Sequence, residues 1–301
     1  YWTRWANNQV PMCTLCRPSE PSRSVYAWHA KGFVLVAEDV DTLRAWTKNR
    51  YDEATAKKVK PQRIPLLWLP RPLRPAEYPR TAGALMALLN VDSAGEEMLE
   101  ALLANRETEF KTVLLGFQGR RGVGFAGVTI RPPQADRYSG NPLTKGGFRG
   151  SPPLPILISR YSTGAIDGYT MRRYDASWVH GRDHNSGVSV LTTKSVIVFG
   201  AGSLGSGVVD LLVKAGIGKI TLVDPGVAES ENASRHELGI DSVGTKKARG
   251  LVSDLSTRFP HLDIEGIPES CEWFAENMSE QLRSADLIVS SIGSWRAESY
   301  L

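Results

Sequence analysis

The sequence is poor in cysteine and has no long hydrophobic run, and each absence excludes a class of protein. Three cysteines among 301 residues are too few for a disulfide-stapled extracellular domain, so we expect a reducing, cytoplasmic setting. No apolar stretch approaches the ~18 residues that cross a bilayer and no signal peptide is visible, so no membrane partner is expected. There is no dense run of Lys or Arg and the net charge is only +4, which disfavours nucleic acid as a partner.

The composition is that of an ordinary globular protein. The chain is 42% hydrophobic and 23% charged, and its length suits about two domains. It begins at Tyr1 and stops at Leu301 inside a pattern that reads as an unfinished α/β unit. We therefore expect the sequence to be a piece of a longer protein.

Residues 1–180 show three compositional regions. Their expected bounds are a first domain over 1–60, a Pro-rich linker over 61–80 and a small α+β region over 81–180. The linker follows from its six prolines, because proline at that density disfavours helices and central strands. The first domain is predicted to hold two short strands and a helix from Asp41 or Thr42 to Ala56. The third region is predicted to hold two helices, two strands and a long loop over 131–155.

The C-terminal region, residues 181–301, opens with a glycine signature. Residues 195–205 read Ser-Val-Ile-Val-Phe-Gly-Ala-Gly-Ser-Leu-Gly, an apolar strand that runs into a Gly-x-Gly-x-x-Gly turn and then a helical pattern. Gly200 and Gly202 let the backbone approach phosphate oxygens, and Gly205 lets helix and strand pack closely. The helix N-terminus presents N–H groups to an anion. The pattern predicts a nucleotide site without saying which nucleotide.

Alternating strand and helix patterns continue to about residue 291. Buried apolar strands separated by helices predict a mostly parallel sheet covered on both faces. The predicted fold class is therefore α/β, an incomplete Rossmann-like domain preceded by a smaller α+β region.

Asp224 ends the second strand of this region, where a carboxylate accepts hydrogen bonds from ribose hydroxyls. That position fits NAD, FAD and ATP, and a Gly-rich turn of this kind is most typical of NAD(P)-dependent oxidoreductases. The next segment favours phosphate chemistry, because Asn232, Arg235 and Lys247 bring polar and cationic groups toward the phosphate end of the sheet. Adenylyl transfer needs such groups as charge builds on phosphate oxygens, whereas hydride transfer does not. A solvated helix start with an Asn cap is the plainer alternative.

The ordered set of these residues over about 190–295 resembles the ThiF/MoeB/HesA superfamily, which includes ubiquitin-activating enzymes. The resemblance implies binding of ATP with Mg²⁺ and adenylation of the C-terminal carboxylate of a ubiquitin-like protein, followed by transfer to a cysteine thiol. It implies homodimers as well. It assigns Asp224 to the ribose and Asn232, Arg235 and Lys247 to the phosphates. Arg182 is a candidate for a further phosphate-contacting Arg upstream.

Two positions depart from that family. Gly226 stands where a second acidic residue is usual, and Gly293 or Ser294 stands where an Asp helps to hold Mg²⁺. A serine hydroxyl is a much weaker Mg²⁺ ligand than a carboxylate. A catalytically inactive adenylation-like scaffold therefore stays open as an alternative, beside the oxidoreductase.

The upstream sequence is similar to bacterial proteins of antiviral operons that fuse a ubiquitin-conjugating-like domain to a ThiF-type domain. The similarity rests on Trp178-Val-His-Gly-Arg182, on Gly147-Phe148-Arg149 and on the Pro-rich stretch. It implies a ubiquitin-like protein or a cGAS-like nucleotidyltransferase as the partner.

The cysteines allow several interpretations. Cys13-Thr-Leu-Cys16 is half of a zinc motif, but no second ligand pair follows, and the histidines show no metal spacing. The Leu-Cys16 pair also resembles the site of conjugating enzymes, which requires an accessible thiolate. Both residues are equally compatible with ordinary cysteines. Cys271 is flanked by acids that raise a thiol pKa, so we interpret it as structural, in a loop after a strand.

Overall fold

The computed structural model describes residues 6–89, 92–120, 122–132, 153–181 and 185–301. The chain divides into two compact units. The first comprises Tyr1–Arg44 and Lys58–Arg173, and the second comprises Ala45–Lys57 and Tyr174–Leu301. No helix among the described residues is long and apolar enough to cross a membrane.

The first unit is built on a closed barrel of seven strands. The strands are β1 (Ala6–Thr14), β2 (Arg23–Ala30), β3 (Phe33–Ala37), β4 (Gln62–Leu69), β5 (Lys111–Gly119), β6 (Gly122–Ile130) and β7 (Ile166–Arg173). Their order around the barrel is β1-β3-β2-β4-β5-β6-β7. The β1–β3, β1–β7 and β4–β5 pairs are parallel and the others are antiparallel.

The helices of the N-terminal half are α1 (Val40–Arg50), α2 (Glu53–Lys57), α3 (Ala82–Leu88), α4 (Ser93–Ala104) and α5 (Leu154–Ser162). Apolar residues of α3, α4 and α5 pack on the outer face of β4, β5 and β6, while a second apolar cluster fills the barrel. Residues 113–117 of β5 are therefore buried on both faces. The predicted helix from Asp41 to Ala56 is two helices, since the chain turns at Tyr51 and Asp52.

The predicted linker over 61–80 is wrong. Residues Gln62–Leu69 form β4, which pairs with β2 on one side and β5 on the other. The prolines flank the strand, except Pro65, which lies one residue before the ladder with β5 begins. The predicted small α+β region over 81–180 is also wrong as a separate region, because its strands close one barrel with the strands that precede it. Residues 133–152, most of the predicted loop over 131–155, lie outside the described residues.

The second unit contains the predicted parallel sheet. Its strands are β8 (Ser195–Phe199), β9 (Lys219–Val223), β10 (Asp263–Ile267) and β11 (Leu287–Ser290), in the order β10-β9-β8-β11. Its helices are α6 (Ala176–Gly181), α7 (Ser186–Leu191), α8 (Ser203–Ala215), α9 (Lys247–Arg258), α10 (Cys271–Asn277), α11 (Ser279–Ser284) and α12 (Trp295–Glu298). All described strand pairs are parallel.

Separate apolar clusters cover the two faces of this sheet. One joins the sheet to α8 and α9, and the other joins it to α10, α11 and α12. Burial on both faces explains why β8 and β9 read as continuous apolar runs. The α/β prediction for this region is confirmed, although α10 was not foreseen.

Candidate nucleotide site

The Gly-rich turn joins the buried strand β8 to α8, as predicted. Gly200 has φ of +93°, a conformation that favours glycine, and a Cβ there would lie 2.7 Å from the carbonyl oxygen of Ser291. A Cβ on Gly205 would overlap the carbonyl oxygen of Gly200. Both glycines are therefore required by sterics within the protein itself.

The N-terminus of α8 is open. Gly202 is the residue that caps it, and a Cβ there would meet no atom within 4 Å. The first intrahelical hydrogen bond runs from the N–H of Ser206 to the carbonyl of Gly202, at 2.9 Å. The N–H groups before Ser206 have no intrahelical acceptor, and the open space beside them suits a phosphate group.

Asp224 lies at the end of β9 and holds the turn in place. Its two oxygens accept hydrogen bonds from the backbone N–H groups of Ala201 and Gly226, each at 2.6 Å. A carboxylate oxygen can accept more than one hydrogen bond, so both oxygens retain capacity for ribose hydroxyls.

His236 connects the segment after β9 to the Gly-rich turn. Its Nδ1 accepts from the N–H of Leu238 at 2.9 Å, so Nε2 carries the proton and donates to the carbonyl of Ala201. The neighbouring Arg235 is exposed. The bond made by His236 thus brings the backbone of Arg235 to the phosphate end of the sheet.

Asn232 closes the turn that precedes Arg235. Its side-chain oxygen accepts from the N–H of Glu229 at 3.4 Å, and its backbone carbonyl accepts from the N–H of Arg235 at 3.0 Å. Within the chain, Asn232 therefore makes the contacts of a turn cap, which is the plainer of the two interpretations given for it above.

Lys247 is the first residue of α9, and its N–H donates to the carbonyl of Gly226 at 2.9 Å. A Cβ on Gly226 would lie 2.8 Å from Oδ1 of Asp224, so the glycine leaves room for that carboxylate, whereas Cδ of Lys247 would be only in ordinary contact at 3.5 Å. The ammonium group of the adjacent Lys246 already has a partner within the protein, since its Nζ donates a hydrogen bond to the carbonyl of Pro225 at 2.7 Å. The side chains of Lys247 and Arg235, in contrast, make no hydrogen bond or ion pair with the residues that the structure describes.

The end of β11 closes the site without a carboxylate. Ser291 Oγ lies 2.9 Å from the carbonyl oxygens of both Phe199 and Gly200 and so supports the turn. Gly293 has φ of +65°, and Ser294 caps α12 by accepting from the N–H of Ala297 at 3.3 Å. Nowhere in the described ranges do three His, Cys, Asp or Glu residues form a metal-binding group. These residues do not fit a carboxylate-held Mg²⁺.

The expected accessible thiolate is not found. Cys16 is fully buried and Cys13 nearly so, with Cys16 packed in the apolar cluster that fills the barrel. Cys271 is buried at the start of α10, in a helix where a loop was predicted. Burial, and then Glu272, raises the pKa of the Cys271 thiol to about 11, in the predicted direction.

The Gly-rich turn lies where the sequence predicts it, and Asp224, Arg235 and Lys247 stay predicted site residues. Ser291 was not predicted. Ser291 is 91 residues from the Gly200 carbonyl that it approaches, and only the parallel pairing of β11 with β8 reveals that contact. Arg182 lies outside the described residues, as do Gly147, Phe148 and Arg149.

Residues 181–301 match the model of the ThiF family. The chain is 32% identical over 114 residues to the ATP-dependent ubiquitin transferase-like protein Cap2 of Enterobacter hormaechei, covering 37% of this chain and 19% of Cap2. It is 26% identical over 126 residues to the SAMP-activating enzyme E1 of Haloferax volcanii, covering 42% of this chain and 46% of that enzyme.

A solved structure is also similar to part of the chain. It is the tRNA N6-threonylcarbamoyladenosine dehydratase TcdA of E. coli in complex with ATP, at 22% identity and a TM-score of 0.36. The match covers 42% of this chain and 51% of TcdA. The chain thus aligns with only a part of each relative, about a fifth in the case of Cap2.

Proposed function

Residues 181–301 belong to the ThiF family, and from that premise we propose that they bind ATP and adenylate the C-terminal carboxylate of a ubiquitin-like protein. The relatives support this class, since their names include an E1 activating enzyme and a sulfur carrier protein ThiS adenylyltransferase of Bacillus subtilis. In the reaction, a carboxylate oxygen bonds to the α-phosphorus of ATP. The bond from that phosphorus to the bridging oxygen breaks, and pyrophosphate leaves.

The observation that carries the proposal is the pair of uncommitted cations, Arg235 and Lys247, beside a Gly-rich turn. Pyrophosphate release concentrates negative charge on the departing oxygens, and fixed cations stabilise that charge. The N–H groups at the start of α8 add to the same field. An NAD-dependent hydride transfer develops no such charge on phosphate oxygens and does not need two cations there.

Asp224 has two tasks in this scheme. It fixes the turn through the N–H of Ala201, and its remaining lone pairs accept the ribose hydroxyls of ATP. Asn232 sets the turn that presents Arg235. Each residue thus orients the nucleotide or neutralises its charge.

The steps after adenylation are also part of the proposal. We assign the thiol that would accept the acyl group to none of the three cysteines described here, because all three are buried. The ubiquitin-like or cGAS-like partner, homodimer formation and a cytoplasmic setting in an antiviral pathway belong to the proposal for the whole protein. Arg182 remains the proposed upstream phosphate contact.

The test measures binding of ATP, adenosine and NAD to this chain by titration calorimetry. We expect ATP to bind more tightly than NAD. Arg235→Ala and Lys247→Ala are each expected to weaken ATP binding about tenfold and to leave adenosine binding unchanged, because only the phosphates lose a partner. Lys246→Ala is the matched control, since its ammonium group already binds Pro225. Preferred binding of NAD, or wild-type ATP affinity in both variants, would refute the proposal.

The absence of a carboxylate at Gly293 and Ser294 favours a second candidate, an ATP-binding scaffold that does not adenylate. ATP–pyrophosphate exchange by the intact protein with its carrier protein separates the two. Exchange supports the adenylyltransferase, and ATP binding without exchange supports the scaffold.

A further inference from the structure

One end of the barrel interior is polar, although the rest of it is apolar. Inward-facing positions alternate along each strand, and most carry residues such as Val25, Ile64 and Phe125. At one end the same alternation places polar side chains where the apolar ones stop. They are His29 on β2, Gln62 on β4, Thr112 on β5, Thr129 on β6 and Asp167 on β7.

These side chains surround an open cavity of about 670 Å³. Tyr169 forms its floor, is buried, and has its hydroxyl hydrogen-bonded to Thr112 and Thr129. Thr112 Oγ1 also lies 3.5 Å from Nε2 of His29. Phe110 stands at the mouth with 55% of its surface exposed. The cavity therefore combines a hydroxyl network with one apolar rim.

Barrel stability does not require this network. Polar groups in an interior cost free energy unless they are hydrogen-bonded, and apolar residues at the same inward positions would fill the space, as they do further along the strands. Cavities at the mouths of β-barrels that carry a few convergent polar groups are typical ligand sites.

The guanidinium group of Arg131 indicates the chemical class of the ligand. Its Nε donates to Asp167, a buried carboxylate, and that contact orients the guanidinium. The two terminal nitrogens of Arg131 make no hydrogen bond to any residue in the described ranges. A planar guanidinium with two such groups matches the two oxygens of a carboxylate.

Two carboxylates also line the cavity, those of Asp167 and Glu109. Asp167 is paired with Arg131, whereas Glu109 is exposed, so solvent screens its repulsion of an anion. The anion is therefore expected to bind at the terminal nitrogens of Arg131.

We propose that this barrel mouth binds the carboxylate of a small organic acid or of a peptide C-terminus, with Arg131 as its anchor. The hydroxyls of Tyr169, Thr112 and Thr129 have three protons and share two hydrogen bonds, so one proton is left to donate to the ligand, and Phe110 contacts the apolar part of the ligand. The site lies within the first unit and is independent of the nucleotide site.

The experiment titrates the chain with three probes, followed by backbone amide NMR shifts. The probes are N-acetyl-Gly-Gly with a free C-terminus, the same peptide as its C-terminal amide, and propionate. We expect at least one acid to bind with shifts at Thr112 and Thr129, and the amide to bind about tenfold more weakly or not at all. Binding of the peptide acid alone identifies a peptide terminus, and binding of propionate alone identifies a free organic acid.

Arg131→Gln is expected to weaken acid binding about tenfold, whereas the matched control Arg63→Gln, exposed on β4, keeps wild-type affinity. Thr129→Val weakens binding while leaving the contact of Arg131 with Asp167 intact, so it tests the site even if Arg131→Gln disturbs the fold. The proposal is overturned if neither acid binds at about 10 mM, if the amide binds as well as the acid, or if Arg131→Gln and Thr129→Val both bind like wild type.

Discussion

The Asp224 carboxylate holds the Gly-rich turn through the backbone N–H of Ala201, at 2.6 Å. The residue that the family resemblance assigns to ribose binding is thus also part of the support of the turn. Because the proposed ribose contact and the support of the turn depend on one side chain, its removal is expected to change the shape of the turn as well as the affinity for nucleotide.

Asp224→Ala is therefore expected to lower both stability and nucleotide affinity. The N–H groups of Ala201 and Gly226 lose their acceptor, which costs about 1–3 kcal/mol of unfolding free energy. Urea unfolding and adenosine titration measure the two effects. Asp263→Ala, an exposed acid at the start of β10, is the control and is expected to leave both unchanged. Wild-type stability of Asp224→Ala would contradict the supporting role.

Gly205→Ala and Gly207→Ala are expected to have opposite effects on stability, although both lie in α8. A Cβ on Gly205 overlaps the Gly200 carbonyl, so backbone must move at a cost of several kcal/mol. A Cβ on Gly207 meets nothing within 4 Å, and Ala there gains about 1 kcal/mol of helix propensity. Urea unfolding of the two variants provides the test. Equal midpoints for the two variants would show that the close approach at Gly205 is not required.

The Gly-rich turn and the strand end beside it were predictable from the sequence because their signals are local. Gly200 and Gly205 are dictated by the tight turn between one strand and the next helix, and Asp224 by its place at a strand end. His236 was not predictable in the same way. Its proton position and its bond to Ala201 follow from the path of a loop 35 residues away from that carbonyl.

The barrel was missed because its closure is a long-range event. Met12 of β1 pairs with Met171 of β7, and no local periodicity reports such a pairing. The proline rule failed at β4 because pairing with two neighbours outweighs one missing donor at Pro65. The accessible thiolate that the resemblance to conjugating enzymes requires at Cys16 is not found, because barrel closure buries that residue.

Asp210 of α8 is expected to stabilise the second unit through Arg258 of α9, 3.0 Å away, and through Lys214, 2.5 Å away. Burial raises the pKa of Asp210, but the hydrogen bonds from Lys214 and Arg258 outweigh it, and the net pKa is lowered. Asp210→Asn is expected to cost roughly 1–2 kcal/mol at pH 7, allowing for the partial exposure of both cations. Urea unfolding measures the loss.

Acid removes the stabilisation that Asp210 provides. Because the folded pKa of Asp210 lies below the unfolded value, its stabilisation is present above about pH 4 and disappears as pH falls through the folded pKa. The difference between wild type and Asp210→Asn should therefore shrink in strong acid. A difference that is constant from pH 7 to pH 3 would contradict the ionic origin.

The pair His180 and His261 is expected to make the second unit less stable in mild acid. Nδ1 of His180 donates to the carbonyl of Lys214 at 3.2 Å, so its Nε2 accepts from Nε2 of His261 at 2.8 Å, and a further proton on His261 would place a positive charge on a largely buried ring beside His180. Burial, and then His180, lowers the pKa of His261 to about 4, against about 6.5 when unfolded. The unfolded chain therefore binds more protons between these values.

The contribution of His261 to stability is complete above pH 6.5, and the free energy of unfolding falls by roughly 2 kcal/mol toward pH 4. Urea unfolding at pH 7.5 and 4.5 measures this fall, which His261→Phe should reduce, and an unchanged fall in that variant would assign the acid sensitivity to other groups.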